Sequence, residues 1–174
     1  MLLGISGSLR ADSVNRKLIR EAARHYGGEF IEAEIRMPLY DGDIETLEGV
    51  PTEAQELANQ IEAAEAVVIS TPEYNQSFSG SLKNALDWVS RVDGNPWKGK
   101  PVALLSAAAG RSGGARANYA LRLAMTSFRP KLLSMEVLLA DARNQFDDKQ
   151  QLISERYEKQ IADILAALKT EASS

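Results

Sequence analysis

The chain contains no cysteine and a single histidine, His25. The first absence excludes disulfides, thiolate nucleophiles, iron–sulfur clusters and cysteine-ligated zinc. The second excludes sites built on several histidines, and it leaves a Ser-His-Asp triad only His25 to use. His25 closes an amphipathic run beside Tyr26. Basic side chains suit helix C-termini, so the expectation is a surface residue at a helix end. No basic block is present, which disfavours nucleic acid as a partner. No apolar run approaches the ~20 residues of a membrane-spanning helix. Met1 to Ser6 lacks the charged flank of a signal peptide, so a cytoplasmic protein is the expectation. A chain this poor in nucleophiles and metal ligands must, if it is an enzyme, borrow its chemistry from a bound cofactor.

What is present is ordinary globular composition. Apolar residues make up 44% and charged residues 25% of 174 residues, which argues against disorder. The length suits one domain with a core that needs no staples. The formal charge is −4, so any local cluster of cations stands out.

Strand-like and helix-like patterns alternate along the chain. Apolar runs at Leu2–Ser6, Ala66–Ser70, Pro101–Ala107 and Lys131–Leu139 read as strands. Glu29–Ile35 is a weaker, alternating strand that suits a sheet edge. Helical spacing runs over Asn15–Tyr26, Thr52–Ala64, Ser79–Arg91, Ala115–Met125 and Gln150–Ala172, with Thr52 and Ser79 as candidate N-caps. Met37–Pro51, with its prolines and acidic residues, reads as a long connection. Trp88 lies off the apolar face of its helix, so it is expected to be exposed, with a subunit contact as one explanation. Five strands alternating with helices imply an α/β fold with a parallel sheet covered on both faces. Ligands of such sheets sit beyond the carboxyl ends of the strands.

Three loops at those ends carry the candidate chemistry. After the first strand, Gly7-Ser8-Leu9-Arg10-Ala11-Asp12-Ser13-Val14-Asn15 runs directly into a helix N-terminus. Free N–H groups there favour an anion. Ser8, Ser13 and Asn15 add donors, and Arg10 adds a charged fork suited to phosphate. The plainer alternative is a capped helix with a solvated Arg10. The loop matches neither a Walker motif nor a dinucleotide fingerprint, so a monophosphate fits better. After the third strand, Pro72-Glu73-Tyr74-Asn75 can border a flat heterocycle, or can simply be a turn. After the fourth, Ser106 leads into Ala107-Ala108-Ala109-Gly110-Arg111-Ser112-Gly113-Gly114, whose small side chains admit a ring to the backbone.

Together these segments, with Gly80, Leu82, Lys83, Asn84, Asp87 and Trp88 after the second loop, resemble the NADPH-dependent FMN reductase family. That family includes quinone, chromate and azo-dye reductases. The resemblance runs from Ile5 to about Leu123. It implies a single flavodoxin-like domain over 1–174, a three-layer sandwich with strand order 2-1-3-4-5. It implies FMN held at the phosphate by Ser8, Arg10, Ser13 and Asn15. Pro72, Glu73, Tyr74 and Asn75 would border the flavin ring, and Ser106, Gly110 and Gly113 would complete the pocket. It further implies NADPH or NADH as reductant, ping-pong transfer to quinones, azo dyes, chromate or ferric complexes, and a homodimer or homotetramer, with Arg91 either reaching the neighbouring flavin pocket or standing as a solvated charge at its helix end. A non-enzymatic electron carrier of the flavodoxin kind is the second reading. Such carriers clamp the flavin between aromatics, and here only Tyr74 is suitably placed.

Overall fold

The computed structural model describes residues 1–174. Five strands form one sheet: β1 (Leu2–Ser6), β2 (Phe30–Ala33), β3 (Ala66–Thr71), β4 (Pro101–Ala107) and β5 (Lys131–Leu139). Their order is β2-β1-β3-β4-β5, and every neighbouring pair is parallel. This is the flavodoxin-like order expected from the resemblance. β1, β3 and β4 are buried at every residue. Such strands read as continuous apolar runs because helices cover both faces. β2 is a half-buried edge, as its polar alternation implied.

Side chains alternate between two cores. Leu3, Ile5, Val67, Ile69, Val102 and Leu104 point to one face. There they meet α3 (Thr52–Ala63), α4 (Gly80–Val89) and α5 (Ala115–Met125). Leu2, Val68, Ala103 and Leu105 point to the other, against α1 (Val14–Tyr26) and α6 (Glu155–Ala172). No helix is long and apolar enough to cross a membrane.

Four sequence expectations need correction. The segment 42–48, read as connection, is a two-turn helix, α2 (Gly42–Glu48). Asp41 caps it by accepting from Asp43 N–H at 2.9 Å, and Gly49 ends it at a positive φ. It buries no residue, so no apolar stripe announced it. Thr52 is the first residue of α3 rather than its cap; Pro51 precedes it without a side-chain bond. α6 starts at Glu155, because Leu152 pairs with Phe146 in an isolated bridge and so leaves the helical pattern.

Trp88 is the fourth correction. It is fully buried, and its indole Nε1 donates to the Pro38 carbonyl at 2.8 Å. The Asn84 amide donates to the same carbonyl and accepts from Tyr40 N–H at 2.8 Å. The strap 37–41 therefore closes over the flank of α4 that looked exposed. Arg91, just past the end of α4, pairs with Glu45 of α2 at 2.9 Å. Trp88→Phe removes the indole donor together with part of the buried ring. We expect a loss of at least about 1 kcal/mol, read by urea denaturation. No change in the midpoint would show that the strap is held without this bond.

Candidate functional site

One buried amide ties the start of α1 to the carboxyl ends of β3 and β4. Asn15, in the first turn of α1, is 1% exposed. Its Oδ1 accepts from Ser70 Oγ at 2.7 Å and from Ala107 N–H at 3.1 Å. Its Nδ2 donates to the Ala107 carbonyl at 3.2 Å. Helix α1 is thereby tied to β3 and β4 at one point. Gly7, after β1, donates to the Ser70 carbonyl at 2.8 Å and accepts from Ser79 Oγ. A Cβ on Gly7 would lie 3.0 Å from Thr71 Oγ1 and 3.2 Å from Pro72 Cδ, so the two loops meet only across a glycine.

Above this junction lies an open cavity of about 420 Å³. That is within the range of ~300–1,000 Å³ common for small-molecule sites. The α1 end supplies Ser8, Arg10, Ser13, Asn15 and Lys17. Ser13 caps α1 by accepting from Asn15 N–H at 3.2 Å. The N–H groups of Val14 and Arg16, in the same turn, have no acceptor in the protein. Arg10 is exposed and makes no ion pair, whereas Lys17 holds Asp12 at 2.7 Å. The hydrogen bond and charge of Lys17 hold the Asp12 carboxyl below its ordinary range. Free amides, two hydroxyls and an unpaired guanidinium form a donor set suited to a phosphate monoester.

The opposite wall is Pro72, Glu73 and Tyr74, with Ala107, Ala108 and Ala109 beneath. Tyr74 is half exposed. A tight turn holds it, with mutual backbone bonds between Tyr74 and Ser77 at 2.9 and 3.1 Å. Asn75 and Gln76 between them both have positive φ, 48° and 69°. That is the backbone of a type I′ turn, for which asparagine is well suited. Asn75 is exposed at the tip and does not line the cavity. Glu73 Oε1 lies 3.4 Å from Arg116, and its Oε2 is buried without a donor.

The third loop behaves differently from the sequence reading. Ser106 is fully buried and donates to the Gly113 carbonyl at 2.7 Å. Gly113 has φ +61°, and a Cβ there would lie 2.4 Å from the Leu138 carbonyl group. Ser106, Gly110 and Gly113 therefore do not line the cavity; Ser106 and Gly113 fasten the loop to β5. Two cations that do bear on the cavity were missed, Lys17 and Arg143. Lys17 lies four residues after Ser13, on the same side of the first helical turn. Arg143 sits in a short 3-10 turn after β5, and nothing local marks it.

The model of the NADPH-dependent FMN reductase family matches residues 1–144. The chain belongs to the NADPH-dependent FMN reductase family. An NAD(P)H-dependent FMN reductase of Pseudomonas aeruginosa is 44% identical over 172 residues, 96% of this chain and 92% of that protein. A quinone reductase of Escherichia coli is 44% identical over 120 residues, 67% of this chain and 64% of that protein. Among solved structures, FerB, a flavoenzyme NAD(P)H:(acceptor) oxidoreductase of Paracoccus denitrificans, matches with a TM-score of 0.87 at 30% identity. That match covers 99% of this chain and 96% of FerB. An azoreductase of Bacillus anthracis, 19% identical with a TM-score of 0.61 and 99% coverage of both chains, shares the fold. The lining of this reductase's cavity suits FMN. A donor-rich helix terminus for a phosphate and a wall with a buried, donorless carboxylate oxygen for a heterocycle face one cavity.

Asn15→Ala removes the three-way junction and leaves Ser70 Oγ and the Ala107 amide and carbonyl short of partners. At roughly 1–3 kcal/mol per unsatisfied buried group, we expect a loss of ~3 kcal/mol, measured by urea denaturation. A loss below ~1 kcal/mol would show that the strand ends hold together without Asn15.

Proposed function

We propose that this reductase binds FMN in the cavity and carries electrons from NADPH or NADH to small-molecule acceptors. The single observation that carries the reading is the pairing of a free cation and unpaired amides at the α1 terminus with a small-residue floor on β4. Bound FMN would supply the hydride acceptance and electron release that no side chain here offers. The chain's own residues bind and orient it. Ser8, Arg10, Ser13 and the first-turn amides of α1 hold the phosphate, with Lys17 close by. Asn15 acts one step back, by fixing that turn against β3 and β4. Pro72, Glu73 and Tyr74 border the ring, Asn75 shapes the turn that presents Tyr74, and Ser106, Gly110 and Gly113 shape the loop opposite.

Quinones are the favoured acceptors, with azo dyes, chromate and ferric complexes as further ones. Only one aromatic residue, Tyr74, lines the cavity, so one face of a bound ring stays accessible to reductant and acceptor in turn. That favours the enzyme over the electron carrier. It also favours ping-pong kinetics, because both partners would use one site. For self-association into a homodimer or homotetramer, Leu39, Leu47 and Leu123 are the exposed apolar candidates, at 80%, 84% and 74% exposure. The absence of a spanning helix is consistent with a cytoplasmic setting.

Arg10→Ala tests the phosphate assignment. Loss of one charge-assisted contact, about 1.5–3 kcal/mol, should raise the Kd for FMN roughly 10- to 150-fold in a fluorescence titration. An unchanged Kd would remove Arg10 from the site. Initial rates with NADPH and a quinone varied together should give parallel double-reciprocal lines; intersecting lines would refute alternating use of one site.

A further inference from the structure

Helices α1 and α6 pack side by side on the sheet through Leu18, Ala22, Ile161, Ile164 and Leu165. One polar cluster interrupts that apolar seam. Glu21 of α1 keeps only 3% of its side-chain exposure. His25, one turn on, faces it, with Nε2 3.3 Å from Glu21 Oε1. Glu158 reaches in from α6, so that one ligand atom from each residue lies within 4.8 Å of the other two.

A buried carboxylate is costly unless each oxygen is satisfied. Arg24 donates to Glu21 Oε2 at 2.8 Å, but Oε1 receives no hydrogen bond. His25 Nε2 is itself buried and has no hydrogen-bond partner, despite its short distance to that oxygen. His25 does end α1, as its sequence position suggested, yet its ring retains only 21% exposure. Two carboxylates and an imidazole nitrogen thus converge from two helices, with Arg24 the one side chain that donates a hydrogen bond into the group.

We propose that Glu21, His25 and Glu158 form a site for a divalent transition-metal cation, best matched by Zn²⁺, that clips α1 to α6. Zinc takes imidazole nitrogen and carboxylate oxygen together, with water as a fourth ligand. Calcium and magnesium want more oxygens and no imidazole. Tetrahedral ligands at ~2.1 Å from zinc stand about 3.4 Å apart. The Glu21–His25 pair already has that spacing, at 3.3 Å. Glu158, within 4.8 Å of both, must close on them to complete the set. Two carboxylates against the Arg24 guanidinium leave a net charge of −1 with neutral His25, which favours a cation. None of the three residues lines the cavity described above, so the clip and the flavin reading stand or fall separately.

His25 is the chain's only histidine, so its ring nitrogens are assigned by composition. The FMN-loaded protein, first treated with chelator, would be titrated with ZnCl₂ and followed by long-range ¹H–¹⁵N NMR, calorimetry and thermal unfolding. We expect one saturable equivalent, a shift of His25 Nε2, and a Tm rise of roughly 5–10 °C at about 100 times the Kd. Glu158→Gln and His25→Gln should each weaken binding at least ~10-fold, as loss of a metal ligand does. Arg24→Gln frees the second Glu21 oxygen and should tighten binding; in a metal-free ion pair the same change only destabilises. No Nε2 shift with zinc, or an equal Tm rise in His25→Gln, would overturn the site and leave a metal-free contact between His25 and Glu21.

Discussion

Asn15 locks the first turn of α1 onto the ends of two neighbouring strands, β3 and β4. A parallel sheet fixes its strands by their ladders, but the ladders end where the ligand face begins. Beyond that point each strand enters its own loop. The Asn15 side chain spans the gap, with Oδ1 held by Ser70 and Ala107 and Nδ2 bound to the Ala107 carbonyl. Its position in the first turn of α1 means that the same residue orients the helix terminus whose free N–H groups face a phosphate. An exposed asparagine would gain little from such bonds. At 1% exposure each of them replaces water that cannot enter, and breaking one strands a buried partner.

On that rigid junction the cavity divides its labour simply. Charge comes from exposed side chains without ion-pair partners, Arg10 and Arg143, while Lys17 is partly neutralised by Asp12. Shape comes from small residues, Ala107 to Ala109, over which a flat ring can lie. No nucleophilic cysteine or histidine bears on the cavity, and none is needed if a flavin carries the electrons. The glycines of the neighbouring loop serve the frame. Gly113 touches β5 so closely that a single methyl group would collide with the Leu138 carbonyl.

The central strands were legible because they are buried on both faces, which turns a strand into an uninterrupted apolar run. The helices α1, α4 and α5 were legible because each carries one apolar stripe. The strand order came from the resemblance of the motifs, supported by the polar alternation of Glu29–Ile35 at the edge. Trp88 was misread because its cover, the strap 37–41, lies about fifty residues away and has no periodicity of its own. Helix α2 was missed because caps and the Glu45–Arg91 pair, not an apolar stripe, hold it. At the site, Ser8, Arg10, Ser13 and Pro72 to Tyr74 line the cavity as read. Ser106 and Gly113 do not, because a glycine-rich loop looks open in sequence even when it is packed against a strand. Arg143 reaches the cavity only through the turn after β5, which no local pattern encodes.

The most direct test is anaerobic. FMN-loaded protein would be mixed with one equivalent of NADPH, then separately of NADH, and its visible spectrum followed. The account predicts that the oxidised flavin band fades with at least one nicotinamide and returns when a quinone is added. A flavin that binds but keeps its oxidised band with both reductants would contradict it, and would leave a carrier that depends on another protein for its electrons.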